Sequence, residues 1–147
     1  MNDEKPIFQF SATFRIKNAG RFYEEITKAT GILPTDCHVS GEEITTESHN
    51  LGRSADDMWT LSSPLSDEAD LSAHLRWLWN VLSPHREYLG RLIGEGVAMD
   101  ISCLYKSDSD TAGFSIDSDA LAVACEMNVP LEISVMIDDF SGNELDD

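Results

Sequence analysis

A strict alternation of apolar and polar residues near the start of the chain constrains the fold most. Phe8, Phe10, Ala12, Phe14 and Ile16 fall on one side of an extended segment, and polar side chains fall on the other. A period of two with one apolar face predicts a half-buried strand in an antiparallel or mixed sheet. Because such a face must be covered, the same chain has to supply helices that pack on it.

Later segments repeat this pattern and predict the other strands of the sheet. Residues 97–105 and 131–137 place apolar side chains at every second position. Shorter strands are predicted at 58–62 and 113–117, with a weaker one around 38–44. The strands are therefore distributed along most of the chain.

Helical periodicity fills the intervals between the predicted strands. Residues 20–30 carry a short apolar stripe. A longer leucine stripe follows Ser66, which is the expected N-cap, and Pro84 interrupts it, so that either a kink or a second helix begins there. A final short helix is predicted from Ser118 to about Asn128.

This succession predicts one α+β domain over residues 1–138, followed by an acidic tail at 139–147. The sheet is expected to be single, antiparallel or mixed, with helices on one face and an open polar face opposite. The first six elements have the β-α-β-β-α-β order of a ferredoxin-like fold, and an additional β-α-β unit follows. A chain of 147 residues is long enough to bury a core without disulfides or metals.

The balance of charges restricts the class of partner. The chain has 10 Lys and Arg residues against 27 Asp and Glu, a formal net charge of −17. After residue 94 there are 13 acidic residues and a single basic one, Lys106. So acidic a chain is unsuited to binding nucleic acid or an anionic membrane surface. It favours electrostatic attraction of a basic protein.

The cysteines and the N-terminal residues indicate the compartment. Cys37, Cys103 and Cys125 are odd in number and widely spaced, so no disulfide framework is expected. The first residues do not have the composition of a signal peptide, and no apolar run is long enough to span a membrane. We therefore predict a cytoplasmic protein in which Cys103 and Cys125 are small buried side chains.

Several short segments resemble a known family in their order and spacing. They are A-T-F-R-I at 12–16, G-I-L-P-T at 31–35, M-W-T-L at 58–61, H-L-R-W-L at 74–78, D-I-S-C at 100–103 and G-F at 113–114. Together they resemble the bacterial domain-of-unknown-function family four-two-seven-nine over about residues 10–138. The resemblance implies a small α+β domain without established catalytic residues. It also implies an inhibitory role, because some relatives are suspected of acting as immunity proteins beside secreted toxins.

The long helical segment supplies the first candidate site. Trp77, Val81 and Tyr88 form a second stripe, away from the leucine face of the helix. Such a stripe is either buried under another part of the chain or meets a partner. We expect it to bind a basic protein, such as a toxin domain, together with the acidic residues Asp138 and Asp139. A homodimer formed through the stripe is the other open interpretation.

The polar face of the predicted sheet supplies the second candidate site. Arg15, Asp100, Ser102 and Glu132 all project from it. A guanidinium beside two carboxylates can bind a small ligand or serve an enzyme. The simpler interpretation is an ordinary cross-strand ion pair between Arg15 and one of the two acids. The choice depends on the strand order, which the sequence does not determine.

No familiar catalytic, nucleotide-binding or metal-binding motif is present. His38 and His49 flank an acidic loop but match no zinc spacing, and the sequence places no histidine beside Cys103. We therefore expect no cofactor and no metal. The leading functional prediction is an immunity-type inhibitor that occludes the basic surface of a toxin. The alternative is a ligand-binding protein or enzyme that uses the polar sheet face.

Overall fold

One mixed β-sheet organises the part of the chain that the structure describes. A computed structural model describes residues 8–39, 57–108 and 113–137. These ranges contain five strands and four α-helices. The predicted α+β class is therefore confirmed. The first seven residues of the predicted domain and the predicted tail lie outside the described ranges.

The alternating segment at the start of the chain forms the central strand of the sheet. The strands are β1 (Phe8–Lys17), β2 (Asp36–His38), β3 (Met58–Ser62), β4 (Ala98–Ser107) and β5 (Leu131–Ile137). Their order is β2-β3-β1-β4-β5. Neighbouring strands are antiparallel except for the parallel pair β4–β5. Strand β1 is thus flanked on both sides, whereas β5 is the last strand at one edge of the described sheet.

Four α-helices connect the strands: α1 (Tyr23–Thr30), α2 (Leu71–Leu82), α3 (Arg86–Gly94) and α4 (Ala122–Met127). The expected cap of the long helix is wrong. Asp70, rather than Ser66, caps α2, and its Oδ1 accepts a hydrogen bond from the Ala73 N–H at 2.9 Å. Ser66 instead closes the preceding turn, where its Oγ accepts from the Glu68 N–H. Within the described residues, no helix is long and apolar enough to cross a membrane.

Two helices, rather than one bent helix, connect β3 to β4. Helix α2 ends at Leu82, and a short 3-10 turn at Ser83–His85 carries Pro84 in its first positions. Proline fits there because its missing N–H would have no partner within the helix. Strand β3 lies between β1 and β2, as in a split β-α-β unit. The predicted ferredoxin-like order has one helix between β3 and β4, whereas this chain has two, α2 and α3. The ferredoxin-like order of the first six elements therefore stays a prediction.

The segment at 113–117 is not a strand, contrary to the prediction from its alternation. Its backbone is irregular and leads into a 3-10 turn at Ser118–Leu121. The Asp117 N–H donates to Ser72 Oγ of α2 at 2.8 Å, so a helix side chain replaces a neighbouring strand as its acceptor. Strands β4 and β5 are consequently neighbours, and α4 lies in the connection between them.

The core lies between α2 and the apolar face of the sheet. Phe14, Trp59 and Ile101 come from three different strands and are almost completely buried. Helix α2 contributes Leu75 and Leu78, both 0% exposed. Complete burial of each such side chain contributes about 1.5–3 kcal/mol to folding. The leucine stripe therefore faces the sheet, as its spacing predicts.

The cysteines divide between core and surface. Cys103 is buried in β4, as predicted, and burial raises the pKa of its thiol to about 12. The prediction that Cys125 is buried is wrong, because this side chain is exposed on α4. The six-residue helix turns Val123 and Met127 toward the core instead.

Candidate functional site

The strand register brings the predicted residues of the polar face together. Arg15 in β1 lies opposite Asp100 in β4. Ser102, two residues further along β4, lies beside Glu132 of β5. Because side chains alternate along a strand, all four project from the same face of three adjacent strands. This juxtaposition depends on the strand order.

A two-point ion pair joins Arg15 to Asp100. Arg15 Nε donates to Oδ1 at 2.8 Å, and Arg15 Nη2 donates to Oδ2 at 2.7 Å. Lys17 Nζ donates to the same Oδ2 at 3.0 Å, and Arg15 Nη2 also reaches Glu132 Oε1 at 3.2 Å. The Asp100 side chain is 4% exposed, whereas that of Glu132 is 63% exposed. Asp100 is therefore the buried centre of this cluster, and Glu132 is its solvent-facing side.

The two cations keep Asp100 ionised. Burial opposes the charged form, but the hydrogen bonds from Arg15 and Lys17 outweigh it and hold the pKa of the Asp100 carboxyl below its ordinary value. The hydrogen bond to Asp100 in turn raises the pKa of the Arg15 guanidinium. Each cation thus already contacts a carboxylate, so an anionic ligand would have to compete with Asp100. The arrangement is that of a cross-strand ion network.

The predicted partner-binding stripe is half-buried. Trp77, Val81 and Tyr88 lie on α2 and α3, and all three pack against the core. Tyr88 Oη donates to Glu25 Oε2 of α1 at 3.4 Å, and the Arg91 guanidinium carbon lies 5.7 Å from the centre of the Tyr88 ring. The stripe therefore has contacts within the chain, and partner binding by it stays a prediction.

Strand β5 presents an exposed apolar surface. Four of the nine exposed large hydrophobic side chains of the described residues belong to it: Ile133 (38% exposed), Val135 (56%), Met136 (46%) and Ile137 (55%). Ile133, Val135 and Ile137 lie at alternate positions and share the sheet face of Cys103 and Tyr105, whereas Met136 projects from the opposite face. We call Ile133, Val135 and Ile137 the β5 surface. The strand contains one charged residue, Glu132, in seven. Edge strands are normally protected by several charges, by proline or by a covering segment. Asp138 and Asp139 follow β5 directly in sequence but lie outside the described residues.

Aromatic rings cluster next to the β5 surface. Phe10 stacks on Tyr105 with ring centres 5.0 Å apart, and Phe114 packs against both, at 5.6 and 4.8 Å. The Phe8 ring lies 5.5 Å from Phe10. Tyr105 is the register neighbour of Val135 across the parallel pair, so the cluster adjoins the β5 surface on the same sheet face.

These rings line a cavity of about 310 Å³. Asp70 and Asp117 also line it, and no lysine or arginine belongs to its lining in the described chain. The cavity therefore combines apolar aromatic walls with negative charge. Across the described ranges, no three His, Cys, Asp or Glu side chains come together in a way that could hold a metal ion. His49 and most of the acidic loop lie outside those ranges.

A comparison with known families identifies the chain. Residues 8–138 match the family described as Domain of unknown function (DUF4279). The chain belongs to this family. The family predicted from the sequence is thereby confirmed. Neither a curated protein nor a solved structure matches the chain.

The DUF4279 family supplies no function, so the site itself must indicate one. The β5 surface and the aromatic cavity were not singled out from the sequence. The signal for the first was available, because residues 131–137 combine strong alternation with a single charge. No comparable signal existed for the cavity, whose walls come from segments far apart in the chain.

Proposed function

We propose that this DUF4279 domain is a protein-binding module that docks a basic protein on the β5 surface. The observation that carries the proposal is the exposure of β5, where more than half of Val135 and of Ile137 is open to solvent. Removal of such surface from water drives protein association. An extended partner segment can also pair with the side of β5 that no described strand occupies and add main-chain hydrogen bonds.

Charge indicates the chemistry of the partner. The formal net charge of −17 attracts cationic proteins and repels acidic ones. Within β5 itself, Glu132 is 63% exposed and adds a negative charge on the opposite face of the same edge strand. Long-range attraction accelerates the encounter, and short-range apolar contact then slows dissociation. A basic protein with an apolar contact segment fits both properties.

The most specific form of this proposal is an immunity-type inhibitor that acts in the cytoplasm. A toxin that acts on nucleic acid needs a basic surface, and an acidic domain is suited to occlude it. The resemblance to a family with suspected immunity proteins supports this form. The odd number and wide spacing of the cysteines, Cys37, Cys103 and Cys125, support a reducing compartment.

The alternative, a ligand site on the polar face, has weaker support. Arg15 and Lys17 both donate to Asp100, so neither offers an unoccupied cation to an anionic ligand. Docking on Trp77, Val81 and Tyr88 also has weaker support, because those side chains are half-buried against the core.

A capture experiment with matched variants tests the proposal. The tagged chain, its Val135→Glu variant and its Leu33→Glu variant are incubated with native lysate at low and high salt, and retained proteins are identified by mass spectrometry. Leu33 is a suitable control position because it is exposed, at 78%, in the segment between α1 and β2. Both variants make the chain more acidic, so electrostatic attraction is preserved in both.

We expect one basic polypeptide to be retained by the wild type and by Leu33→Glu, with weaker retention at high salt. Val135→Glu should reduce its affinity by about tenfold or more, because a charge is forced into an apolar contact. A partner that is acidic, or that binds Val135→Glu as well as wild type, would contradict the proposal. A dimer seen by light scattering and dissociated by Val135→Glu would assign the β5 surface to a second copy of the chain instead.

A further inference from the structure

The aromatic cavity beside β5 has the chemistry of a cation site. Its walls include the rings of Phe8 and Phe114, which are 41% and 37% exposed. The π-face of an aromatic ring attracts ammonium and guanidinium groups. The volume of about 310 Å³ is sufficient for one long side chain. The walls thus favour an alkyl stem that ends in a positive charge.

The two acidic residues of the cavity supply the opposite charge. Asp70 Oδ1 accepts from the Ala73 N–H at the start of α2, which holds this side chain at the cavity. Among the described residues, no lysine or arginine forms an ion pair with Asp70. Asp117 does have a cation, since Arg76 donates to it.

That cation does not neutralise the neighbourhood of Asp117. Arg76 also forms an ion pair with Asp119, where Nε lies 3.1 Å from Oδ2. One guanidinium therefore serves two carboxylates, and a net negative charge remains. Together with Asp70, this leaves the cavity side of α2 with an excess of negative charge.

We propose that the cavity accepts one lysine or arginine side chain of the basic partner. This inference rests on the proposed function and deepens it, because it assigns the partner an anchor residue. Tyr105 lines the cavity and neighbours Val135 in the parallel register. Adjacent strands are about 4.8 Å apart, so a single segment on β5 can insert a neighbouring side chain into the cavity.

An NMR titration of the full chain tests the cavity without the partner. The probes are n-butylammonium and n-propylguanidinium, which reproduce the lysine and arginine side chains, and n-butanol is the neutral control. We expect both cations to shift the ring signals of Phe8, Phe114 and Tyr105 in a saturable manner at millimolar concentration. Equal shifts with n-butanol would overturn the inference, because the cavity would then select apolar shape rather than charge.

Matched variants test the assignment of the charge. Asp70→Asn removes the carboxylate but retains an amide oxygen that can cap α2. We expect it to weaken binding of the cationic probes about two- to fivefold. Phe114→Leu should have an effect of about the same size, because it removes one π-face. Asp36→Asn in β2, at the opposite edge of the sheet, removes the same unit of charge and should leave probe affinity unchanged. Equal effects of Asp70→Asn and Asp36→Asn would contradict the site.

The same variants separate this inference from the proposed function. The captured basic partner could bind Asp70→Asn and Phe114→Leu as tightly as wild type but fail to bind Val135→Glu. The inference of an anchor residue in the cavity is then wrong, and the proposed function stands. If the probes bind but wild type retains no basic protein, the proposed function fails. The assignment of the cation to a protein side chain then fails with it, and the cavity is a site for free amines.

Discussion

Strands β4 and β5 have the same alternation and lie side by side, but their burial is opposite. Cys103 is 1% exposed and its register neighbour Ile133 is 38% exposed. Tyr105 is 5% exposed beside Val135 at 56%. Strand β4 is paired on both sides, whereas β5 has one described neighbour in the sheet. The comparison shows that one apolar pattern produces core where another element covers it and exposed surface where no described element does.

The largest expected effect is on the free energy of unfolding, which an alanine substitution in β4 should lower more than one in β5. Ile101→Ala in β4 should lower the free energy of unfolding by about 2–5 kcal/mol, because it leaves a cavity in a fully buried site. Ile133→Ala in β5 should cost less than about 1 kcal/mol, because that side chain already contacts water. Urea denaturation of both variants measures the difference. Similar losses would show that β5 is as well covered as β4.

The two carboxylates on the polar face provide the second contrast. Asp100→Asn should destabilise the fold by about 1–3 kcal/mol, because it leaves Arg15 and Lys17 without their shared charged acceptor. Glu132→Gln removes an exposed acid from the same cluster and should change the unfolding free energy by less than about 0.5 kcal/mol. Chemical denaturation at neutral pH distinguishes the two. An Asp100→Asn variant as stable as wild type would show that the network is dispensable.

Val135→Glu should have a smaller effect on stability than either core change. We expect the unfolding free energy to change by less than about 1 kcal/mol, because position 135 is mostly exposed. The measurement is the urea midpoint, compared with that of Leu33→Glu. A large loss would mean that any loss of partner binding reflects unfolding, and the capture result could then not be assigned to the β5 surface.

Acidification should lower the free energy of unfolding through a buried histidine on the helix that covers the core. His74 on α2 is 1% exposed, and its Nδ1 lies 2.8 Å from Ser63 Oγ. Burial lowers the pKa of His74 below its ordinary value of 6.5, despite nearby Asp67 and Asp70. Between the lowered pKa and 6.5 the unfolded chain binds the proton more readily, so stability falls as the pH falls through this range.

The control for this pH dependence is His74→Gln. This variant removes the titrating group, so its urea midpoint should depend less on pH between 7.5 and 5.5 than that of wild type. An unchanged pH dependence would show that other groups cause it.

The sequence was sufficient for those parts of the fold that depend on local pattern. The alternations predicted β1, β4 and β5, and the leucine spacing predicted the buried face of α2. The segment 113–117 was predicted wrongly because its short alternation is also compatible with irregular chain. The backbone N–H of Asp117 donates to Ser72 of a distant helix, and a local pattern cannot reveal such a contact.

The candidate site depended on information that the sequence does not contain. The choice between a ligand site and an ion pair for Arg15 required the register that places Asp100 opposite it. The exposure of β5 required knowledge of which strands the helices cover. The cap at Asp70 was missed because Ser66, four residues earlier, is an equally good capping residue by type.

Site-specific photocrosslinking in the native host tests the central claim most directly. A photoreactive residue is placed at position 135 and, in separate variants, at positions 88 and 33, and crosslinked products are identified by mass spectrometry. The account predicts a discrete adduct with a basic polypeptide from position 135 and none from position 33. An adduct from position 88 but not from position 135 would contradict it, because the partner would then dock on α2 and α3 rather than on β5.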